Sequence, residues 1–316
     1  MQPTASSSLP KLLWGSLLAL GLVGCGIEEP PIPVETSAAT VDPLSYENIT
    51  LTQSARDGRL QWKITATLAQ YTPERTVAAL TSVSGEFYDS QGDPIRVTAA
   101  AGQVLVEERR ISLVGSIQAE YPRQGLLLQA QEVQWIPDES RLVASDSVTI
   151  QFRDPDNPQR QGEIQGSQLQ WNTQDQVLTL TDQPVRLVAR EPDLQLTAAQ
   201  LQWILPSQTI QALGGVELVG QPQGIPEPVQ LRGATLTLTP KQAMVSGDGY
   251  VRSQGRGELW AQVLRWPLGE SLIYASGDVR YQWPGQGLSL RGREGVINWQ
   301  SQTARLSGGT TILQRL

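Results

Sequence analysis

Leu196 to Leu218, LTAAQLQWILPSQTIQALGGVEL, reads as two β-strands joined by a turn at Pro206-Ser207-Gln208, and the same phrase recurs along the chain. Its marker is an apolar-polar-apolar triplet that usually ends in Trp. Leu201-Gln202-Trp203 matches Val133-Gln134-Trp135, Leu169-Gln170-Trp171, Leu236-Thr237-Leu238, Leu264-Arg265-Trp266 and Ile297-Asn298-Trp299, with Val104-Leu105-Val106 as a weaker first copy. The last residues of these triplets lie 29, 36, 32, 35, 28 and 33 residues apart, a period that marks an internal repeat. The longer gaps hold Pro-rich inserts at Arg153–Pro158 and Gln221–Pro228, which read as loops between units, where added length costs little.

Within each unit the period is two. Val133 and Trp135 share one face and Gln134 takes the other, and Gln170, Gln202, Thr237, Arg265 and Asn298 repeat the polar position. The second strand has its own phrase, as in Ala144–Ile150, Leu213–Leu218 and Ala275–Tyr281, with Gly or Asp in the middle where a bulge or bend is expected. Beyond residue 30 no helical apolar stripe extends past two turns. The fold class is therefore all-β: an elongated antiparallel β-jellyroll or V-shaped trough of about 16 strands, one face apolar and one wet.

Composition narrows the chemistry. The chain has 316 residues and a formal charge of −7, with no clustered basic face, so nucleic acid is not an expected partner. It has no histidine, which removes imidazole acid/base chemistry and the commonest metal ligand. The acidic pairs Glu107-Glu108, Asp138-Glu139 and Asp154/Asp156 fall in turns, and Gly247-Asp248-Gly249 precedes no helix, so neither a glycosidase pair nor a phosphate loop is indicated. No enzyme activity, cofactor or metal is expected.

The chain opens with Lys11 and an apolar run from Leu12 to Val23, too short to span a bilayer of ~30 Å. Residues 1–24 read as a signal peptide. The run ends Leu22-Val23-Gly24-Cys25, which resembles the lipobox of bacterial lipoproteins, and that resemblance implies cleavage before Cys25 and its acylation, palmitate included. Residues 25–45 then form the lipidated Cys and a Pro-rich tether.

Residues 46–90 carry a different signature. Asp57-Gly58 precedes Leu60–Leu68 in strict alternation, and after Tyr71 a second strand ends in Phe87-Tyr88-Asp89 with Gly92. This stretch resembles the opening of the LptC-type periplasmic proteins of lipopolysaccharide export, and the repeats resemble their OstA-like β-jellyroll. The resemblance covers residues 46–190; residues 191–316 read as further OstA-like units. The sequence departs from the family's usual form in having a lipidated cysteine in place of a transmembrane helix and in its extra length.

On the residues alone, the inward set (Trp62, Ile64, Val83, Phe87, Val104, Val106, Val133, Trp135, Val148, Ile150, Leu169, Trp171, Leu201, Trp203, Leu264 and Trp266) reads as a core. The resemblance implies that it is also a groove holding lipopolysaccharide acyl chains, with packing at the closed side. The Trp column is expected to stack along one rim and seal it. The resemblance further implies a periplasmic protein anchored at the inner rather than the outer membrane, with the edge at Tyr46–Leu51 meeting the export transporter and the edge at Ser307–Leu316 the next bridge protein of the same fold. The alternative is a structural or adhesive lipoprotein with a sealed β core that binds protein or cell-wall polysaccharide.

Overall fold

A computed structural model describes residues 44–222, 225–283 and 287–313. The signal peptide, Cys25 and the tether as far as residue 43 lie outside the described residues. Eighteen strands follow in chain order: β1 (Leu44–Ser54), β2 (Leu60–Tyr71), β3 (Val77–Tyr88), β4 (Pro94–Leu105), β5 (Arg110–Tyr121), β6 (Leu126–Ile136), β7 (Arg141–Arg153), β8 (Gln161–Asn172) and β9 (Val177–Arg190). The second half contains β10 (Leu194–Ile204), β11 (Thr209–Gly220), β12 (Val229–Leu238), β13 (Gln242–Ser253), β14 (Gly257–Pro267), β15 (Leu272–Trp283), β16 (Leu288–Asn298), β17 (Thr303–Ser307) and β18 (Thr310–Leu313). The count exceeds the expected 16 because Leu44–Ser54 is itself a strand and because the chain after β16 breaks into two short ones.

From β1 to β17 each strand pairs antiparallel with the next, and β18 returns to pair with β16. The ladder runs on across residue 190, where β9 pairs with β10 over the same length as with β8. Turn chemistry sets the connections. Two of them are single 3-10 turns that begin at Pro122 and Pro137, each closed by a left-handed residue, Gly125 and Ser140.

The sheet is folded lengthwise along a line of bulges. The register shifts mid-strand at nearly every pair, for example between Ser145 and Val148 and between Ser276 and Val279. At these points β5, β7, β11, β13 and β15 each place two consecutive residues at positive φ: Gly115-Ser116, Asp146-Ser147, Gly214-Gly215, Gly247-Asp248 and Gly277-Asp278. Gly and Asp tolerate that conformation, and this is the mid-phrase signature seen in the sequence. Because each strand bends there, the first halves of odd strands and the second halves of even strands form one leaf, and the remaining halves form the other. The two leaves close over a single apolar cluster running from Trp62 to Trp299.

Candidate functional site

Where the strand ends meet opposite the bulge line, the trough has a seam. From β6 to β14 each even strand ends at or one residue beyond its marker residue, and that residue faces the end of the odd strand three places earlier. Phe87 on β3 stacks on Trp135 on β6, with ring centroids 5.3 Å apart at 20°. Tyr121 on β5 lies 5.5 Å from Trp171 on β8, and Phe152 on β7 meets Trp203 on β10 edge-on at 5.2 Å. Farther along, the indole of Trp266 on β14 occupies the space a side chain at Gly220 on β11 would need, a Cβ there lying 2.6 Å from the ring. Seam contacts of this kind contribute about 0.5–1.5 kcal/mol per aromatic pair beyond their burial.

Of the sixteen inward residues, fourteen are buried in the single cluster. Trp203 is half-buried at its edge. Val106 is a correction: it is 48% exposed. The strand ladder ends at Leu105, and Val106 enters the turn, its N–H donating to the Thr76 carbonyl at 2.9 Å and its own carbonyl accepting from Arg109 N–H at 3.3 Å. Val104, paired through Ile111 with Trp135, holds the marker row instead, so the weaker triplet overshoots the rim by two residues. The Trp column also differs from expectation. The markers do line one rim, but among the described residues each ring contact they make is across the seam and none joins one marker Trp to the next. Neighbouring even strands are separated by an odd strand running the other way, which places the marker rings two strand spacings apart, too far to touch.

Hydrogen bonds latch the seam at two places. In the first, Asp89 is buried in the β3–β4 turn. Its Oδ1 accepts from the backbone N–H of Gln91 at 2.9 Å and of Asp93 at 2.8 Å, and its Oδ2 accepts the Tyr121 hydroxyl at 2.6 Å. From the opposite rim, Gln176 Nε2 donates to the same Oδ2 at 3.2 Å, and Ser90 Oγ donates to the Gln174 carbonyl at 3.3 Å. Burial, then the carboxylate of Asp89, push the Tyr121 hydroxyl well above the ordinary phenol range. In the second latch, the guanidinium of Arg256 on the β13–β14 turn donates to the Trp299 carbonyl across the seam. Its Nε donates to Glu227 at 3.2 Å, and the Arg256 carbonyl accepts the Tyr281 hydroxyl at 2.9 Å.

Burial raises the Tyr281 hydroxyl from 10.0 to about 12. The unfolded chain therefore loses this proton first as pH rises, so the stabilisation is complete below pH 10 and declines between 10 and 12. Melting curves taken across that range are expected to show a falling midpoint in the wild type. Tyr281→Phe should lower the midpoint at pH 8, because the bond to Arg256 is lost, and should make the alkaline decline shallower, the remainder coming from Tyr121. An equally steep decline in the variant would place the titrating group elsewhere.

Between the latches no hydrogen bond crosses the seam among the described residues. Here the odd-strand rim carries a small side chain, Ala189, and the even-strand rim has Leu238 in place of a Trp. The result is an opening of about 140 Å³ lined by Phe152, Leu187, Ala189, Trp203, Leu238 and Leu268, continuous with the core and bordered by Arg153, Arg160 and Arg190. An apolar cavity of ~150 Å³ accommodates a guest the size of benzene. Three indole N–H groups on the marker rim, those of Trp135, Trp171 and Trp299, are buried without a hydrogen-bond partner in the protein. The N–H of Trp62 and of Trp266 are satisfied by Gln53 at 3.1 Å and the Glu270 carbonyl at 3.0 Å.

The latch residues Asp89, Tyr121, Gln176 and Arg256, and the opening's Phe152 and Leu238, are absent from the inward set read from the sequence. Phe152 continues the parity of Val148 and Ile150 and could have been found by it. Asp89 stood within the Phe-Tyr-Asp phrase but read as a turn residue. Among the described residues, the first strand of the sheet, β1, pairs with β2, and at the other end β17 and β18 pair with β16.

The described residues thus form a continuous antiparallel meander, folded along its bulges over an apolar interior. The family described as lipopolysaccharide-assembly, LptC-related, matches residues 16–190, more than half of the chain. The chain belongs to that family. Among solved structures it is similar to LptH of Pseudomonas aeruginosa, described as the LptA-homologous periplasmic component of the conserved lipopolysaccharide transport device. The two share 8% sequence identity at a TM-score of 0.24, over 61% of this chain and 97% of that one. No curated protein matches the chain in sequence.

Proposed function

We propose that the protein is a periplasmic, membrane-anchored component of the lipopolysaccharide export bridge, held by an acylated Cys25, and that it carries lipid without catalysing a reaction. Acyl chains would enter the interior at the opening between the latches and move along the apolar trough to a partner of the same fold, joined at the C-terminal end of the sheet. The observation that carries this reading is the opening at Phe152, Trp203 and Leu238, an apolar gap in the seam whose lining includes residues of the core cluster. The seam is built to part: the leaves are joined through backbone ladders at the bulge line but only by side chains and turns at the rims. Each methylene taken from water contributes ~0.8 kcal/mol, enough for capture and small enough for transfer.

Photoreactive residues at Trp203, Trp135 or Leu169 in living cells are expected to give lipopolysaccharide adducts, with none at Gln202 or Gln134 on the wet face. Absence of adducts at all inward positions, in an exported and folded protein, would overturn the carrier reading in favour of a sealed structural array. The burial of fourteen of the sixteen inward residues favours that second reading, and the same experiment separates the two.

A further inference from the structure

One row of side chains on the wet face is uncharged over the first half of the sheet and changes character in the second. One register row can be followed across the strands through directly paired residues. From Thr65 on β2 to Gln165 on β8 it is made of Thr, Ser and Gln. From β12 to β16 the same row reads Arg232, Tyr250, Trp260, Arg280, Arg291, each paired with the next. These five are on the solvent side, with the three arginines exposed and the two rings half-buried. The Tyr250 and Trp260 rings lie 5.3 Å apart at 40° and form a tilted aromatic platform that the interior does not use.

Charge follows the same division. Residues 229–316 carry ten Lys and Arg against five Asp and Glu, whereas residues 1–228 carry 14 against 26, from chain totals of 24 and 31. The last quarter is thus a basic surface on an acidic protein. Beside Trp260 the bulge line, with Gly247-Asp248 and Gly277-Asp278 at positive φ, forms the floor of a shallow depression of about 500 Å³. Asp248, Gln262, Asp278, Arg280 and Gln282 line it with Trp260. Arg280 is oriented by Asp278 at 2.6 Å and Arg232 by Glu217 at 3.3 Å, and Arg291 has no ion-pair partner among the described residues.

We infer that this outer face binds an anionic glycan. The apolar C–H face of a pyranose ring stacks on Trp260 and Tyr250. The carboxylates and amides of the depression take its hydroxyls, and Arg280 and Arg291 take a phosphate or carboxylate substituent. An acidic peptide or nucleic acid fits less well, because Asp248 and Asp278 sit at the centre of the platform and would repel a uniformly anionic chain. A phosphorylated sugar has neutral hydroxyls to place there. The site does not depend on the interior carrying lipid, since its residues point away from the core.

The test uses the full-length protein in detergent and two lipid-free probes: the phosphorylated core oligosaccharide released from lipopolysaccharide, and polygalacturonate as an acidic polysaccharide of other origin. Calorimetric titration is expected to show binding of at least one probe that weakens as salt rises. Trp260→Ala and Arg291→Gln should each reduce affinity about tenfold, with Trp260→Tyr retaining most of it and circular dichroism unchanged. Thr149→Ala, in the polar half of the same row, should have no effect. Binding of the core oligosaccharide alone identifies a glycolipid head group as the source, and binding of both probes identifies acidic glycans in general. No binding of either probe, or binding that Trp260→Ala and Arg291→Gln leave unchanged, would overturn the proposal whatever the outcome at Trp203.

Discussion

Asp89→Ala is expected to lower stability by about 3 kcal/mol, since it removes one carboxylate that accepts two backbone N–H groups, a buried phenol and a side-chain amide. The loss has two parts. The β3–β4 turn loses the acceptor that holds its shape, and the Tyr121 hydroxyl and Gln176 amide, on opposite rims, lose the acceptor they share and keep only their own contact at 3.3 Å. Asp89→Asn keeps an acceptor for the turn and should cost only about a third as much. Denaturant melts followed by circular dichroism would measure both. Because the contacts of a repeat array are nearest-neighbour, the effect should concentrate in the first units, and hydrogen exchange should rise in β2–β9 with β13–β16 unaffected. Equal melts for Asp89→Ala and the wild type would mean that the first latch contributes nothing.

Val148→Arg is expected to be more damaging still. Val148 is 1% exposed and points into the cluster from the second half of β7, with the backbone of Gly166 beside it in the ladder. A guanidinium there has no partner and no route to water, a burial that costs several kcal/mol and should unfold the neighbouring units. Trp203→Arg makes the useful contrast. Trp203 is half-buried at the opening, so an arginine can extend past Leu238 to solvent, and the fold should survive with a loss of about 1–2 kcal/mol. Lipid adducts at a probe on Leu169 should disappear in Trp203→Arg while limited proteolysis stays as in the wild type. Persistence of those adducts would show that the opening is not the point of entry.

The fold was legible because two signals of different period agree. The alternation in Leu201-Gln202-Trp203 defines strands, and the recurrence of the triplet about every 32 residues defines units, so the antiparallel meander follows with little left to choose. The bulge line was also legible, since Gly214-Gly215 and Gly277-Asp278 have few other uses in a strand. The seam was not. That Phe87 faces Trp135 and Tyr121 faces Trp171 depends on how sharply each strand bends, which is a sum of small twists that no single residue reports. The hydrogen bonds of Asp89 to Gln176 join residues 87 positions apart through side chains that look like ordinary turn polar groups. Val106 failed for a local reason: its triplet has the right alternation, but the ladder stops at Leu105.

Pairing between sequence neighbours, departed from only where β18 returns to β16, has a consequence for how the protein is made. A newly made strand finds its partner already in place, so every intermediate is a shorter version of the finished sheet with the same kind of edge. No strand waits for a distant segment. For the same reason the number of two-strand units can change by insertion or loss without rewiring the rest, and the span of such a trough becomes a quantity that evolution can adjust in steps of about 32 residues.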